Sequence, residues 1–267
     1  MKPQRLSMVL MAVAGMACAQ ERAGWTLVWS DEFDKPGLPD ATKWTYEKGF
    51  VRNKEAQYYT QARAENARVE NGNLVIEGRK EAYRCPDGKE ARYTAASLTT
   101  AGLFETTYGR VEVRARLPSG RGMWPAIWMM GTNICTVGWP KCGEIDIMEA
   151  VGHEPDKVFA TVHWFGVEKG KHASSGGNLK GQSPADGFHV YAVEWFADRM
   201  DFYYDETKYF TCPVDKAGSG ENNPFHKPHY LLMNLAIGGS WGGKKGIDDS
   251  VFPQRYVIDY VRFYKKD

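Results

Sequence analysis

The chain has 267 residues, of which 43% are hydrophobic and 25% charged, and its formal net charge is +1 at pH 7. This composition excludes intrinsic disorder and is typical of a globular protein that can bury a sizeable core. The basic residues are dispersed, which argues against a nucleic-acid partner because such a partner requires a clustered basic face. A neutral, polar substrate suits this balance better.

Residues 1–19 form the first distinct segment. Lys2 and Arg5 precede an apolar run that contains no acidic residue and ends in small residues. This is the pattern of a secretory signal peptide, and the run is shorter than the roughly 20 residues of a membrane-spanning helix. We expect cleavage after Ala19 and secretion of a mature chain with net charge −1 to the extracellular space or periplasm. An amphipathic N-terminal helix and a lipoprotein anchor at Cys18 are less favoured.

Residues 20–267 are predicted to form one domain built from many short strands. Apolar or β-branched residues alternate with polar ones in segments bounded by turn residues, whereas helical periodicity is scarce. No repeat or linker divides this part of the sequence. These features predict an all-β protein, either a two-sheet sandwich or a closed barrel. The predicted strands are residues 73–78, 109–117, 157–164, 189–195, 200–204, 230–237 and 256–264.

Aromatic residues make up 13% of the chain and include nine tryptophans. Trp124, Trp128 and Trp241 lie in segments flanked by Gly and Pro, outside the alternating positions. Indole rings presented in a groove would stack on the apolar faces of sugar rings, whereas most tryptophans in proteins belong to the core. Both roles are open for these three residues.

The segment Glu144-Ile-Asp-Ile-Met-Glu149 carries the most informative pattern. A regular strand would place Glu144 and Asp146 on one face and both isoleucines on the other, and it would send Glu149 into the core. An ionised, unpaired carboxylate in an apolar core is too costly. We therefore predict a β-bulge between Asp146 and Glu149 that turns Glu149 back to the acidic face.

Two glutamates in this arrangement would bring their carboxyl groups to about 5–6 Å, the separation found in retaining glycosidases. Mutual repulsion among three acids would hold at least one proton near neutral pH, as a general acid requires. We expect Glu144 to attack the anomeric carbon and Glu149 to protonate the departing oxygen, while Asp146 shares a proton with Glu144.

This acidic segment is open to other interpretations. A solvated acidic face on an edge strand is the plainest of them. A calcium-binding loop is disfavoured because the Asn, Asp and Gly turn residues of such loops are lacking. Ser-His-Asp catalysis is disfavoured because no nucleophile elbow is recognisable.

Four cysteines remain in the mature chain, namely Cys85, Cys135, Cys142 and Cys212. An oxidising compartment would allow them to pair, and the short loop between Cys135 and Cys142 favours a bridge between these two. Buried free thiols are the open alternative. Metal binding by the cysteines is disfavoured because no Cys-x-x-Cys spacing occurs.

The acidic strand and the preceding residues 137–143 resemble the active-site strand of glycoside hydrolase family 16, in the bulged form of its laminarinase-like branch. Other segments resemble family segments in the same order, and the likeness extends from about Trp25 to Tyr264. These segments are residues 29–34, 53–59, 108–118, 122–131, 162–164 and 234–239.

The resemblance implies a jelly-roll β-sandwich of two curved antiparallel sheets, with the substrate cleft on the concave face. It implies a retaining endo-1,3-β-glucanase, with mixed 1,3-1,4-linked glucan as a further substrate. In that enzyme Glu144 is the nucleophile, Asp146 its helper and Glu149 the acid/base. The expected partner is the polysaccharide, no cofactor is expected for catalysis, and we expect a monomer.

The resemblance also implies further site residues. Trp124, Trp128 and His163 would line the cleft near the cleaved bond, with Asn53 and Trp241 further along it. A core histidine satisfied by the backbone is the alternative for His163. Many relatives hold one structural calcium on the convex side, and the residues that match its ligands here are Glu32, Gly72 and Asp259.

Two positions depart from the family pattern. Ser97 stands where several relatives carry an arginine, and Lys54-Glu-Ala56 replaces a more usual Asn-Glu-Leu. Both lie where sugar subsites are shaped, so the linkage preference is less firmly implied than the reaction. One alternative is a relative that acts on a galactan such as agarose or carrageenan, although the net charge of −1 does not favour a sulfated substrate. Another is a jelly-roll glycan-binding module without turnover, which has no use for a proton-sharing acid cluster.

Overall fold

Strands dominate the part of the chain that the computed structural model describes, which is residues 22–166, 170–181 and 183–267. The predicted signal peptide, residues 1–19, lies outside this part. None of the helices described there is long and apolar enough to cross a membrane. The helical segments are α1 (Ile134–Val137), α2 (Gly239–Gly242) and the short 3-10 turns Val214–Ala217, Gly220–Asn222, Pro224–His226 and Asp249–Val251.

The strands follow one another along the whole described chain. They are β1 (Trp25–Asp31), β2 (Thr45–Tyr46), β3 (Gln57–Tyr59), β4 (Ala67–Glu70), β5 (Asn73–Arg84), β6 (Glu90–Ala95), β7 (Ser97–Thr99), β8 (Gly109–Arg116), β9 (Met123–Gly131), β10 (Glu144–Glu149), β11 (Lys157–Gly166), β12 (Lys171–Lys180), β13 (His189–Trp195), β14 (Arg199–Tyr204), β15 (Thr207–Pro213), β16 (His229–Ile237) and β17 (Gln254–Lys266).

These strands form two sheets, so the sandwich is correct and the closed barrel is not. A seven-stranded sheet has the order β12-β11-β10-β9-β16-β7-β2. In a ten-stranded sheet the order is β15-β14-β13-β8-β17-β5-β6-β3, while β1 pairs with β17 and β4 with β5. Pairing within the described residues is antiparallel except between β3 and β6. The predicted all-β jelly-roll sandwich is thereby confirmed.

All seven segments predicted as strands contain strands, whereas four strands of the seven-stranded sheet escaped prediction, and β9 and β12 are the longest of these four. Every residue of β9 is buried, so its sequence shows no alternation between apolar and polar positions. β12 has the opposite character, because its sequence is polar and rich in glycine and contributes only Ala173 and Leu179 to the core. Both failures arise because alternation marks only strands with one apolar and one polar face.

The main apolar core lies between the two sheets and anchors the acidic strand. Ile145, Ile147 and Met148 of β10 are completely buried and belong to the same cluster as Val111 and Val113 of β8. Replacing a buried residue such as Ile147 by alanine would cost about 2–5 kcal/mol. The core face of β10 thus holds its opposite, acidic face in place.

The predicted β-bulge is present in β10. The pairing with β9 shifts between Asp146 and Met148, and the pairing with β11 shifts between Asp146 and Glu149. Because both Ile147 and Met148 enter the core, Glu149 returns to the side of Glu144 and Asp146, and these three carboxylates line one cavity.

The expected bridge between Cys135 and Cys142 is wrong. The four cysteines Cys85, Cys135, Cys142 and Cys212 are unpaired in the structure. Cys135 is exposed on α1, whereas the buried Cys142 directs its Sγ to within 3.4 Å of Met130 Sδ. Closeness along the chain therefore did not bring the two thiols together, because one side chain points outward and the other packs inward.

Candidate active site

A cavity of about 370 Å³ opens on the face of the seven-stranded sheet that points away from the core. Its floor comes from three adjacent strands, β9, β10 and β16, and one wall comes from the loop that precedes β3. The lining residues are Arg52, Asn53, Glu55, Trp124, Ala126, Trp128, Met130, Ile134, Trp139, Glu144, Asp146, Glu149, Asn234 and Ala236.

The acidic strand enters this cavity through a tight turn at Gly143. This residue has a φ of 80°, in the left-handed region that favours glycine. A side chain here would also place its Cβ 2.8 Å from Pro224. Glycine at this position therefore lets Glu144, the first residue of β10, face the cleft at the start of the strand.

Glu149 lies in an environment that favours its protonated form. Burial holds the pKa of Glu149 well above its usual range, and the charge of Asp146 raises it further. A hydrogen bond from Trp124 Nε1 to Glu149 Oε1, 2.9 Å long, opposes the shift. A glutamate that keeps its proton near neutral pH is suited to general acid catalysis.

Asp146 and Glu144 form a second, coupled unit on the same face. Asp146 is only 3% exposed. Burial, followed by the charge of Glu144 and a hydrogen bond with it, holds the pKa of Asp146 well above its usual range. Glu144 accepts a hydrogen bond of 2.7 Å at Oε2 from Trp139 Nε1. Asp146 can therefore carry a proton beside a Glu144 carboxylate that an indole orients.

His163 belongs to the cleft, so the alternative of a core histidine is excluded. It pairs with Glu144 across β10 and β11, and its side chain is 21% exposed. Its Nε2 lies 3.1 Å from Asp146 Oδ2. Polar atoms of Glu144, Asp146 and His163 all lie within 4.8 Å of one another, which is close enough for a shared proton to influence all three groups.

The predicted sugar-binding tryptophans divide into two environments. Trp128 lines the cavity, and its Nε1 donates a hydrogen bond of 2.8 Å to Asn234 Oδ1. Trp124 also lines the cavity, and its ring meets that of Trp241 edge to face at 5.6 Å. Trp241 lies on α2 and packs behind Trp124 against Phe159. Trp241 therefore supports the Trp124 ring and does not itself line the cavity.

Asn53 reaches the cavity from the loop that precedes β3, with a φ of 55°. Its side chain donates to Glu55 Oε1 at 3.3 Å, while Gln57 and Tyr59 donate to Glu55 Oε2 at 2.7 and 3.2 Å. Burial raises the pKa of Glu55, and these hydrogen bonds oppose the rise. Glu55 therefore fixes the wall on which Asn53 sits.

Arg52 is a cleft residue that the sequence did not single out. Its guanidinium lies 4.8 Å from the centre of the Trp128 ring and pairs with Glu47. Glu47 Oε2 in turn accepts a hydrogen bond of 2.6 Å from Ser97 Oγ. The serine that departs from the family pattern thus supports an arginine from another part of the chain.

Sequence reasoning also missed other residues of the site. Trp139, Glu55 and Asn234 lie inside segments that carry the family likeness, so a signal for them existed. Arg52, and His172, which packs against the cavity-lining Trp139, have no such signal, because only the tertiary structure brings them to the site.

The residues expected to bind calcium lie at one place in the ten-stranded sheet. Glu32 directly follows β1, Gly72 lies in the turn between β4 and β5, and Asp259 lies at a bulge of β17. Both carboxylates have arginine partners, since Arg262 binds Glu32 at 2.8 Å and Arg114 pairs with Asp259. A calcium ion would have to draw these carboxylates away from their arginines.

The comparisons with known proteins agree with this geometry. The family model for "Glycosyl hydrolases family 16" matches residues 54–262. The chain belongs to this family. A β-glucanase from Rhodothermus marinus is 48% identical over 250 residues, which cover 90% of this chain and 85% of the relative.

Solved structures of family members also superpose closely on the chain. The laminarinase from Rhodothermus marinus has a TM-score of 0.82 at 46% identity, covering 90% of this chain and 97% of that one. SCLam, described as a non-specific endo-β-1,3(4)-glucanase, has a TM-score of 0.83 at 44% identity, covering 92% and 93%.

Proposed function

We propose that this protein is a secreted, retaining endo-β-glucanase that hydrolyses 1,3-linked β-glucan and also accepts mixed 1,3-1,4-linked chains. The observation that carries the proposal is the bulged β10, which points Glu144, Asp146 and Glu149 into one aromatic-lined cleft. Likeness to proteins described as a β-glucanase, a laminarinase and an endo-β-1,3(4)-glucanase supports the substrate class.

The first step forms a covalent glycosyl-enzyme. A carboxylate oxygen of Glu144 attacks the anomeric carbon, and the glycosidic C–O bond breaks with its electron pair on the departing oxygen. Glu149 gives its proton to that oxygen, so the shortened glucan leaves as a neutral alcohol. The hydrogen bond from Trp139 holds one oxygen of Glu144 and thereby orients the attacking group.

The second step hydrolyses this intermediate. Glu149, now a carboxylate, takes a proton from water while the water oxygen attacks the anomeric carbon and Glu144 departs as a carboxylate. Two displacements at one carbon restore the original anomeric configuration. The raised pKa of Glu149 suits both steps, because the same group must release and then recover a proton near neutral pH.

The cleft supports a neutral glucan as substrate. Trp124 and Trp128 present indole rings, and Asn53 and Arg52 add hydrogen-bond donors to the wall. The mature chain that we expect has a net charge of −1, which offers no attraction to a sulfated galactan. Aromatic faces stack on pyranose rings, and amide and guanidinium groups can bind their hydroxyls.

Digestion of laminarin, lichenan and agarose by the mature protein tests this proposal. We expect shorter gluco-oligosaccharides from laminarin and lichenan, and NMR of the first products should show newly formed β-anomers. Cleavage of agarose alone would contradict the glucan assignment. Tight binding of glucan without any cleavage would instead identify a glycan-binding module, and α-anomers as first products would contradict retention.

A structural calcium bound by Glu32, Gly72 and Asp259 is part of the proposal. We expect added Ca²⁺ to raise the midpoint of thermal unfolding and EDTA to lower it, with kcat unchanged, because this site supports the fold. The measurement is thermal unfolding followed by circular dichroism, with Glu32→Gln as the variant that should lose the response. Identical midpoints with Ca²⁺ and with EDTA would argue against the site.

A further inference from the structure

We propose that His172 of β12 is a positioning residue that fixes the tautomer of His163 and thereby keeps the proton of Asp146 available to Glu144. This inference rests on the proposed function, in which Glu144 is the nucleophile and Asp146 shares a proton with it. His172 would not touch the reacting atoms, and it would act only through His163.

The two histidines meet nitrogen to nitrogen beside the cleft. His163 Nδ1 lies 2.8 Å from His172 Nε2, and the ring planes are inclined by only 24°. An N–H in the plane of one ring can therefore point at the lone pair of the other. Each neutral imidazole carries one N–H, so only one of the two facing nitrogens can hold the proton between the rings. If His172 Nε2 holds it, the hydrogen of His163 must be on its Nε2.

His163 connects this pair to Asp146. Its Nε2 is 3.1 Å from Asp146 Oδ2, and this buried oxygen has no hydrogen bond of good geometry in the described structure. A buried acceptor without a partner is costly, so a small movement that aligns an N–H with it is favourable. His163 Nε2 is the nitrogen placed to supply that N–H.

Only one of the two possible arrangements leaves a proton between Asp146 and Glu144. If His172 Nε2–H donates to His163 Nδ1, then His163 Nε2–H can donate to Asp146, and the acid proton of Asp146 remains for Glu144. If His163 Nδ1–H donates to His172 instead, the bare Nε2 of His163 attracts the Asp146 proton. The nucleophile would then face a negative Asp146.

Trp139 holds His172 in the required position. The Trp139 ring packs against His172 with centroids 4.8 Å apart, while its Nε1 donates to Glu144. The contacts thus close into a ring that includes the nucleophile. Its members are Glu144, Asp146, His163, His172 and Trp139. A change at His172 can therefore reach Glu144 without touching the substrate.

The charges around the pair favour neutral rings. Burial, and then the neighbouring His163, lowers the pKa of His172, whereas the charge of Glu144 opposes the shift. The ionisable groups facing the pair are Glu144, Asp146 and Glu149 of β10 and Lys141, which lies near the ring of Phe165, the partner of His172 across β11 and β12. A neutral His172 near pH 7 can act as the single donor that the arrangement needs.

The test compares three variants on laminarin. His172→Leu removes the donor, and we expect kcat to fall about tenfold, the loss of roughly one hydrogen bond, with KM unchanged. The acidic limb of the kcat/KM profile should move to higher pH. A negative Asp146 makes it harder for the neighbouring Glu144 to lose its proton, and Glu144 must be ionised to attack. His172→Gln retains an N–H donor and should stay within about threefold of wild type.

His189→Gln serves as the matched control. His189 also bonds another side chain, Asp205 at 2.8 Å, but it lies on β13 of the other sheet. We expect this variant to keep the wild-type kcat and pH profile. An equal change in His189→Gln and His172→Leu would show a general structural effect and overturn the proposal.

Nitrogen-15 NMR of the imidazoles reports the tautomer independently of activity. We expect His163 to carry its proton on Nε2 in the wild type, and a mixture of tautomers in His172→Leu. Proton occupancy of Nδ1 in the wild type would overturn the proposal, as would a wild-type pH profile in His172→Leu. Either result leaves cleavage with retention intact, whereas failure of the wild type to cleave any glucan would overturn the function itself.

Discussion

Carboxylates on the two outer faces of the sandwich lie in opposite electrostatic environments. On the ten-stranded sheet, the buried Glu112 is bound by Arg110 at 2.8 Å and by Arg22 at 3.3 Å. In the cleft of the seven-stranded sheet, Glu149 and Glu144 accept hydrogen bonds from neutral indoles. Within the described ranges, none of the three cleft acids forms an ion pair with lysine or arginine.

This difference shows that the partner of a carboxylate decides its role together with its burial. Glu70, whose side chain is 36% exposed, accepts a hydrogen bond from Arg68 that lowers the pKa of Glu70, so this glutamate stays ionised and structural. Glu149 lacks a cationic partner, and its pKa is raised by burial. A buried acid without a counter-ion is costly to the fold, and such groups cluster at functional sites.

Glutamine in place of either cleft glutamate should produce the largest effect, and the outcome at position 149 is the more informative one. An amide cannot supply the acid proton, so we expect kcat on laminarin to fall about 10²–10⁴-fold. Stability at neutral pH should hold or rise, because a buried ionisable group is replaced by a neutral one. Steady-state kinetics and thermal unfolding measure the two effects.

An activated aryl glucoside sharpens this experiment. Its leaving group departs without a proton, so Glu149→Gln should form the glycosyl-enzyme from it at close to the wild-type rate. Glu144→Gln should remain inactive on both substrates. Laminarin cleavage at the wild-type rate by Glu149→Gln would contradict the assigned acid.

A glutamate-to-glutamine substitution on the ten-stranded sheet should lower stability and leave catalysis unchanged. Glu112→Gln leaves the almost completely buried Arg110 with Glu194 as its remaining carboxylate partner. We expect a loss of about 3 kcal/mol in the free energy of unfolding, measured by urea denaturation, with kcat of the folded protein unchanged. A loss below about 1 kcal/mol would show that the contrast between the two faces is overstated.

Removing one indole N–H should have a smaller effect. Trp124→Phe deletes the hydrogen bond to Glu149, and we expect kcat/KM to fall about tenfold. Because this bond lowers the pKa of Glu149, the alkaline limb of the pH profile should move to higher pH. Trp195→Phe is the control, since its indole donates to a backbone carbonyl away from the cleft. An unshifted alkaline limb in Trp124→Phe would be evidence against Glu149 as the acid.

The smallest expected effect is the pH dependence of stability. The folded-state pKa of Glu149 lies above 4.5, so its contribution is fully present below that pH and is lost as the pH rises through the folded pKa. The stability of Glu149→Gln relative to wild type should therefore increase from about pH 4.5 to neutral. Thermal unfolding at several pH values measures this difference.

Glu70→Gln should behave in the reverse way. The pKa of Glu70 is lowered from 4.5, so its stabilisation is present above that pH and disappears as the pH falls through the folded pKa. The variant should be slightly less stable than wild type at neutral pH and equal to it in acid. Parallel pH dependence in the two variants would contradict the comparison of the two faces.

Much of the fold followed from local patterns. The alternation in β8, β11 and β13 predicted those strands because each has one face in the core and the other outside it. The bulge in β10 followed from the cost of burying Glu149, and the structure confirms it. β9 was missed because both of its faces are covered, and the bridge between Cys135 and Cys142 was wrong because sequence spacing does not reveal side-chain direction.

The sequence by itself determined that three acids share one irregular strand, because strand periodicity and the cost of burying a charge act within a few residues. Only the tertiary structure decided what surrounds those acids. Trp124 of β9 and His163 of β11 contact these acids from other strands, and no local rule states which residues will meet across a sheet. The protonation of Asp146 and Glu149 depends on burial and on nearby charges and hydrogen bonds, which are properties of the folded cleft.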